Sequence, residues 1–546
     1  MRFPFAMLLL TACPIVAEPT ADSACPPGNA RCHQPDDCSS GDPDFREWYP
    51  DADADGYGDD ASARTGCSAR DGETETAGDC ADDDPTIHPG ANDVCADGVD
   101  QDCDGRDPRC SMAGELSLAD ADAKILGATS MMMAEYMDVG DVNDDGFADV
   151  AANTMYADAM QGGGAIVFGP VSGTHPLSEV GARILSSRAT TSAGRSVAVA
   201  DVNGDGIDDI ALGAADETCM EWVLFGPITG DVKLADADVT RSGTWDTEVG
   251  HGSDLADVTG DGVVDLIIGA YEDDTKGVDA GAVFVEHGPV ALGTSTVNAE
   301  ADQRFYGEAG GAYAGRYVRA GEDVNGDGIG DLLLAAPYAS DGAPTSGAAY
   351  LVYGGGTGDV GLAQADAKYA GEDAGDYAGE GLALGDVSGD GLTDILLGGY
   401  DSSAGVYTGA AYVVYGPGTS TASLANADVI LRGDARNEQF GLALSGKDVD
   451  GDGVGDLLVG ARGEVGAARL SGAASLFYGP ILGGLDASTP DLHLLGDVAN
   501  ASAGASVDSA DLDADGLPDL LVGAPTDRDG GSSAGAIYVV YGVTRP

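Results

Sequence analysis

The stretch DVNGDGIDD, residues 201–209, places Asp, Asn, Asp and Asp at its first, third, fifth and ninth positions, with Gly at the sixth. Oxygen ligands at alternate positions, around a Gly that relieves a sharp bend, are what a hard cation such as calcium requires. Without a cation such a turn gathers like charges that repel one another. The spacing recurs in DVNDDGFAD from Asp141, DVTGDGVVD from Asp257, DVNGDGIGD from Asp323, DVSGDGLTD from Asp386, DVDGDGVGD from Asp448 and DLDADGLPD from Asp511. The candidate calcium ligands are therefore Asp141, Asn143, Asp145 and Asp149; Asp201, Asn203, Asp205 and Asp209; Asp257, Thr259, Asp261 and Asp265; Asp323, Asn325, Asp327 and Asp331; Asp386, Ser388, Asp390 and Asp394; Asp448, Asp450, Asp452 and Asp456; and Asp511, Asp513, Asp515 and Asp519. Thr259 and Ser388 offer a neutral hydroxyl at the third position, so those two sites are expected to bind less tightly.

Successive turns start 60, 56, 66, 63, 62 and 63 residues apart, which marks a repeat protein. An EF-hand would carry Glu at the twelfth loop position, where these turns have Ala152, Leu212, Ile268, Leu334, Leu397, Val459 or Val522. Instead the ninth-position carboxylate precedes a short apolar run such as LIIG at 266–269 or LLVG at 457–460. Runs of this kind read as strands buried on both faces, so each site belongs to a hairpin. With AGRSVAVA (193–200) before a turn, GAVFVEHGP (281–289) after one and ADVILRG (427–433) closing a unit, each repeat supplies four short strands. Seven such units predict an all-β, seven-bladed β-propeller. The last repeat stops at GAIYVVYG (535–542) without a fourth strand, and the unattached AKILGA (123–128) is expected to complete that blade.

These units resemble FG-GAP repeats, the blades of the integrin α-subunit propeller. Phe440 and Gly441 supply the FG; Gly523, Ala524 and Pro525 supply the GAP; the likeness covers about 120–542. The resemblance implies calcium hairpins on one face and ligand-binding loops on the other. Those opposite loops contain Trp222, Tyr271, Tyr338, Tyr400 and Tyr407, with Trp245, Tyr313 and Tyr377 on a second set, a candidate ligand face.

Across 546 residues, 93 acidic and 25 basic side chains give a formal net charge of -68, which excludes nucleic acid as a partner. Yet 43% hydrophobic residues and 85 Gly suit a folded, turn-rich chain rather than an acidic tail. At the amino terminus, MRFPFAMLLLTAC has one basic residue and an apolar run too short to span a bilayer. Its last four residues resemble a bacterial lipobox, which implies lipidation at Cys13 and anchoring in an outer membrane or at the cell surface; cleavage after Ala17 is the alternative, and either way the protein is exported. The expected organisation is a signal peptide at 1–12, a lipidated tether at 13–47, an Asp/Cys-rich module at 48–110 and the propeller at 118–546.

Eight cysteines fall between Cys25 and Cys110 and only Cys219 follows, so the first fifth is expected to be stapled by disulfides of unassigned pairing. There WYPDADADGYGDD offers Asp51, Asp53, Asp55 and Asp59, and DQDCDG ends in Asp100, Asp102 and Asp104 before Gly105. The pattern resembles a metal-binding module of bacterial surface proteins, some described as copper-binding, and thrombospondin type 3 calcium repeats. Only His33 and His88 could supply imidazole here, so calcium is favoured over copper.

No catalytic constellation stands out. GSSAG at 531–535 sits in a Gly/Ser loop, and the six histidines are dispersed. The expected function is a non-enzymatic, calcium-binding surface lipoprotein that engages a protein or polysaccharide, with calcium holding the hairpins. A polysaccharide-active or accessory propeller and a passive acidic coat are the alternatives.

Overall fold

The computed structural model describes residues 46–542, apart from 60–61, 67, 71, 90, 92–102, 104–112, 157–160, 187–192, 215–218, 245–246, 342, 402–406 and 418–420. The signal peptide, Cys13, nearly all of the tether, and Asp100, Asp102 and Asp104 therefore lie outside the described residues. The chain divides into two compact units, Met1–Pro108 and Arg109–Pro546.

In the first unit, Arg46–Pro50 (β1) is the middle strand of an antiparallel sheet between Arg64–Gly66 (β2) and Glu73–Thr74 (β3). So small a sheet buries little apolar surface, and Trp48 anchors it, donating its indole N–H to the Gly66 carbonyl at 3.0 Å. A Cys80–Cys103 disulfide, with Cα atoms 5.6 Å apart, supplies the covalent staple that a core of this size needs.

The second unit consists of seven antiparallel blades. In the third blade, for example, Val249–Ala256, Asp265–Ala270, Ala282–Glu286 and Gln303–Tyr306 follow one another across the sheet in chain order. First strands of successive blades touch around a closed cycle, from Met133–Gly140 of the first blade to Ser506–Ala510 of the seventh and back, and so surround an axis. Ala123–Leu126 pairs antiparallel with Ala536–Val540, setting Leu126 opposite Ala536, and completes the seventh blade.

Why the second strands are continuously apolar is now plain. Leu266 and Ile268 pack toward the second blade, while Ile267 packs toward the fourth. Apolar clusters of this kind fill the gap between each adjacent pair of blades around the whole ring. The motif glycines have a steric cause as well. Gly441 adopts φ 88°, and a Cβ on Gly398 of the preceding blade would lie 1.8 Å from the Gly441 carbonyl oxygen, so the two backbones meet only because both residues are Gly.

The blades carry more strands than the four the sequence reading assigned them. Among the described residues, six of the seven sheets carry a fifth, parallel edge strand donated by the segment that leads into a neighbouring blade, such as Gly293–Thr296 on Val239–Ser242. It covers an outer edge that four strands would leave open. Gly114–Ser117 plays this part for the sixth blade, pairing with Leu492–Leu495.

Candidate functional site

Each aspartate turn is first of all a hydrogen-bonded cage. In 201–209, Asp201 accepts the N–H groups of Gly204 (2.7 Å), Asp205 (3.1 Å) and Gly206 (2.7 Å), and Asp205 accepts that of Ile207 (3.0 Å). Fully buried Asp209 accepts from Val202 at 3.1 Å through one oxygen and from Gly226 at 2.8 Å through the other. The second bond ties the turn to the end of the third strand. It recurs in every blade, from Gly169, Gly226, Gly288, Gly354, Gly416, Gly479 and Gly542 to the ninth-position Asp.

Burial pushes these ninth carboxyls up, to about 7 for Asp149 and Asp209, about 6 for Asp331 and Asp456 and about 8 for Asp519, and raises Asp265 and Asp394. An adjacent cation would relieve that cost. The donor set fits one. Asp448, Asp450 and Asp456 each bring an oxygen within 4.8 Å of the others, as do Asp511, Asp513 and Asp519, and Asn143 holds a shielded, unpartnered Oδ1. All-oxygen ligands select a hard cation. In the two hydroxyl turns, Thr259 donates to Asp257 (3.2 Å) and Ser388 to Asp394 (3.4 Å), which leaves the lone pairs of each hydroxyl oxygen to a cation.

In the amino-terminal unit Asp51, Asp53 and Asp55 likewise converge within 4.8 Å. Buried Asp79 carries a shielded Oδ2 without a partner, as do Asp53 and Asp55. Burial raises the Asp79 carboxyl, and the Asp55, Asp82 and Asp51 charges add to it. Sequence spacing named Asp59 but not Asp79, which arrives from a separate segment. Asp59 accepts the Ser62 hydroxyl at 3.0 Å. His88, the described imidazole of this region, stacks on Tyr57 with centroids 5.1 Å apart.

The opposite ends of the propeller strands form a different surface. Tyr271, Tyr313, Tyr338, Tyr377, Tyr400 and Tyr407, together with His251, make an unbroken succession of ring contacts with centroids 5.0–5.9 Å apart, mostly edge to face. Such contacts orient rings as well as bury them. His251, Tyr338, Tyr377, Tyr400 and Tyr407 line a cavity of about 500 Å³ at the mouth of the axial channel. Into it project the residues that follow the left-handed Gly of each first strand, or Ala134 in the first blade: Glu135, Arg195, His251, Arg316, Glu380, Leu442 and Ala505. Arg462 joins them, 3.4 Å from Glu135 and bonded to Gln439 at 2.7 Å. Burial and the Arg316 and Arg195 charges push His251 down to about 3, so it is neutral.

Trp222 corrects the sequence reading. It lies within Met220–Leu224, opposite Leu212 and Thr240, and is 7% exposed in the core between the first two blades. Its loop ends before it, so its ring packs instead of facing ligand. Trp245 lies outside the described residues. Cys219 is buried, and the GSSAG turn is bonded through the Ser532 and Ser533 carbonyls to the N–H groups of Ser130 and Met132.

Comparison with known proteins agrees with this geometry. The FG-GAP repeat model matches residues 193–232, 314–352 and 503–540, and the Cu-binding MopE metal-binding motif matches 79–107. Phosphatidylinositol-glycan-specific phospholipase D of Homo sapiens is 32% identical over 30% of this chain, and integrin alpha-PS2 of Drosophila melanogaster 29% identical over 44%. The chain spans about a fifth of the length of these relatives, 21% and 18%. Among solved structures, BBS1N in complex with ARL6DN aligns with a TM-score of 0.43 and 11% identity, covering 77% of this chain and 95% of that one. This chain folds as a seven-bladed β-propeller that carries FG-GAP repeats similar to those of integrin α-subunits, and its amino-terminal part matches a metal-binding motif.

Proposed function

We infer that this protein is a surface binding module: a calcium-stabilised propeller, exported and held at the cell surface by lipid on Cys13, that engages a protein or polysaccharide through the face opposite its aspartate hairpins. In this reading residues 1–12 are a signal peptide, 13–47 a tether and 48–110 a second calcium-binding module, with Asp79 added to Asp51, Asp53 and Asp55. Calcium is structural, holding the first-to-second strand hairpins.

The observation that carries the reading is the run of seven rings from His251 to Tyr407 around one channel mouth. Tyrosines kept half-exposed, mutually oriented and beside a polar cavity have the composition of a recognition surface. Combined Tyr271→Ala, Tyr338→Ala and Tyr400→Ala substitutions should abolish retention of the purified protein on surface polymers of the producing cells, with the melt and circular dichroism preserved. Undiminished retention overturns the reading. Separately, Cys13→Ser should release the protein from membranes into the medium.

A further inference from the structure

In a chain of net charge -68, the channel mouth gathers three arginines, Arg195, Arg316 and Arg462. Two carboxylates share the mouth, and both are engaged. Glu135 lies 3.4 Å from Arg462, and Glu380 accepts the Tyr317 hydroxyl at 2.9 Å while its charge, with the Tyr317 oxygen, acts on the Arg316 guanidinium. Arg195 and Arg316 form no ion pair among the described residues, and the Nε–H of each is shielded from solvent without a hydrogen-bond acceptor. Leaving a guanidinium N–H desolvated without an acceptor is costly, so two such donors at one mouth favour an anion there. Arg316 is also held in position: its guanidinium lies 5.3–5.8 Å from the ring centroids of Tyr271, Tyr317 and Tyr338.

We propose that Arg195 and Arg316 receive the carboxylate of an acidic sugar, whose ring packs against the tyrosine arc. This deepens the proposed binding function and rests on it. A carboxylate answers the fork of a guanidinium, and hydroxyl-bearing aromatic rings suit a ligand that is polar at its edges and flatter on its faces. The charge of the whole chain narrows the class further. Long-range repulsion disfavours a densely charged polyanion, whereas within a Debye length of about 8 Å the local arginines dominate. The favoured ligand is a mostly neutral glycan bearing an isolated carboxylate.

The test titrates the whole chain, calcium present, with glucuronate, galacturonate and sialyllactose, using lactose as the neutral control and a glutamate-terminated tripeptide as the competing carboxylate. At least one acidic sugar should bind ten or more times tighter than lactose and the tripeptide. Arg195→Gln and Arg316→Gln should each weaken it roughly tenfold to hundredfold, the range for a hydrogen bond to a charged group. Arg316→Lys, which keeps the charge among the rings, should retain more affinity than Arg316→Gln, and the melts of all variants report folding. Equal binding of the tripeptide overturns the sugar assignment, and failure of every acidic sugar, or arginine variants that melt and bind like the parent, overturns the site. If the arginine variants still hold cell-surface polymers and the triple tyrosine variant does not, the binding function stands and this inference alone falls.

Discussion

Removing calcium should unfold the propeller far below its calcium-loaded melting temperature. The strain that the ion relieves can be estimated at Asp448, Asp450 and Asp456, whose oxygens converge within 4.8 Å. Each like-charged pair at that distance costs about 1 kcal/mol in water and about 3 kcal/mol at an effective dielectric of 20. Extracellular calcium modules bind with dissociation constants of about 10⁻⁴ to 10⁻³ M, so a tenfold excess of calcium adds about 1.4 kcal/mol per site. Seven sites together contribute on the order of 10 kcal/mol. A unit of this size unfolds with an entropy of roughly 0.9 kcal/mol/K, which converts that sum into a fall of about 10 °C. The assay is a thermal melt in millimolar calcium, in chelator, and in chelator followed by excess calcium or magnesium. Calcium should restore the melt, whereas magnesium, which demands tighter octahedral geometry, should restore it only in part. Stoichiometry measured alongside should reach about seven or more. A chelated melt within about 2 °C of the loaded one would refute the metal reading and leave the turns as hydrogen-bonded hairpins.

Arg241 is 1% exposed and its guanidinium bonds Glu286 at 2.6 and 2.7 Å, so Arg241→Ala strands a buried carboxylate and should cost about 3–5 kcal/mol by urea unfolding. Replacing both partners with apolar residues should recover most of that loss, a non-additivity that a double-mutant cycle measures directly. Burial pushes Glu221 from 4.5 up to about 8, with Ser253 donating to it at 2.9 Å. The folded state therefore binds the extra proton between these values, and stability falls as pH rises from about 4.5 to about 8. Glu221→Gln should flatten that slope and raise stability at pH 9 by at most about 5 kcal/mol, seen as a higher melt at alkaline pH and none at pH 4. Ala134 occupies the left-handed position, φ 70°, that Gly fills in the other blades, and Ala134→Gly should stabilise the ring by up to about 1 kcal/mol in a chemical melt.

The seven turns and the closing strand were legible because each rests on short-range chemistry: Asp at alternating positions, an apolar run, and a repeat lacking its last strand. The fifth edge strands were not. Segments such as GTST at 293–296 or VK at 232–233 are short and attach largely through their backbone, and no apolar pattern announces them. Trp222 misled because an aromatic near a loop reads like one in it, and only the register beside Leu212 shows that it has entered the strand. Asp79 reaches the Asp51–Asp55 turn across a long sequence gap, which spacing rules cannot see. The channel-lining residues are the subtler case. They follow the left-handed position of each blade, but Glu135, Arg195, His251, Arg316, Glu380, Leu442 and Ala505 share no chemistry. The backbone position alone brings them together, so the repeat geometry fixes their place without fixing their type.

The strand that completes the seventh blade also fixes an order of events. Ala123–Leu126 leaves the ribosome long before its partner Ala536–Val540, and Lys124 meets Asp529 across 405 residues at 2.5 Å. Until then the nascent ring is an open arc whose terminal blades expose apolar flanks and unpaired edges. Joining its ends is the most entropically remote contact in the molecule, although its cost rises only with the logarithm of loop length. A chain cut short before residue 536 would thus lack the clasp of the whole ring, and its fate would be that of an unfinished arc with two adhesive ends rather than a smaller propeller.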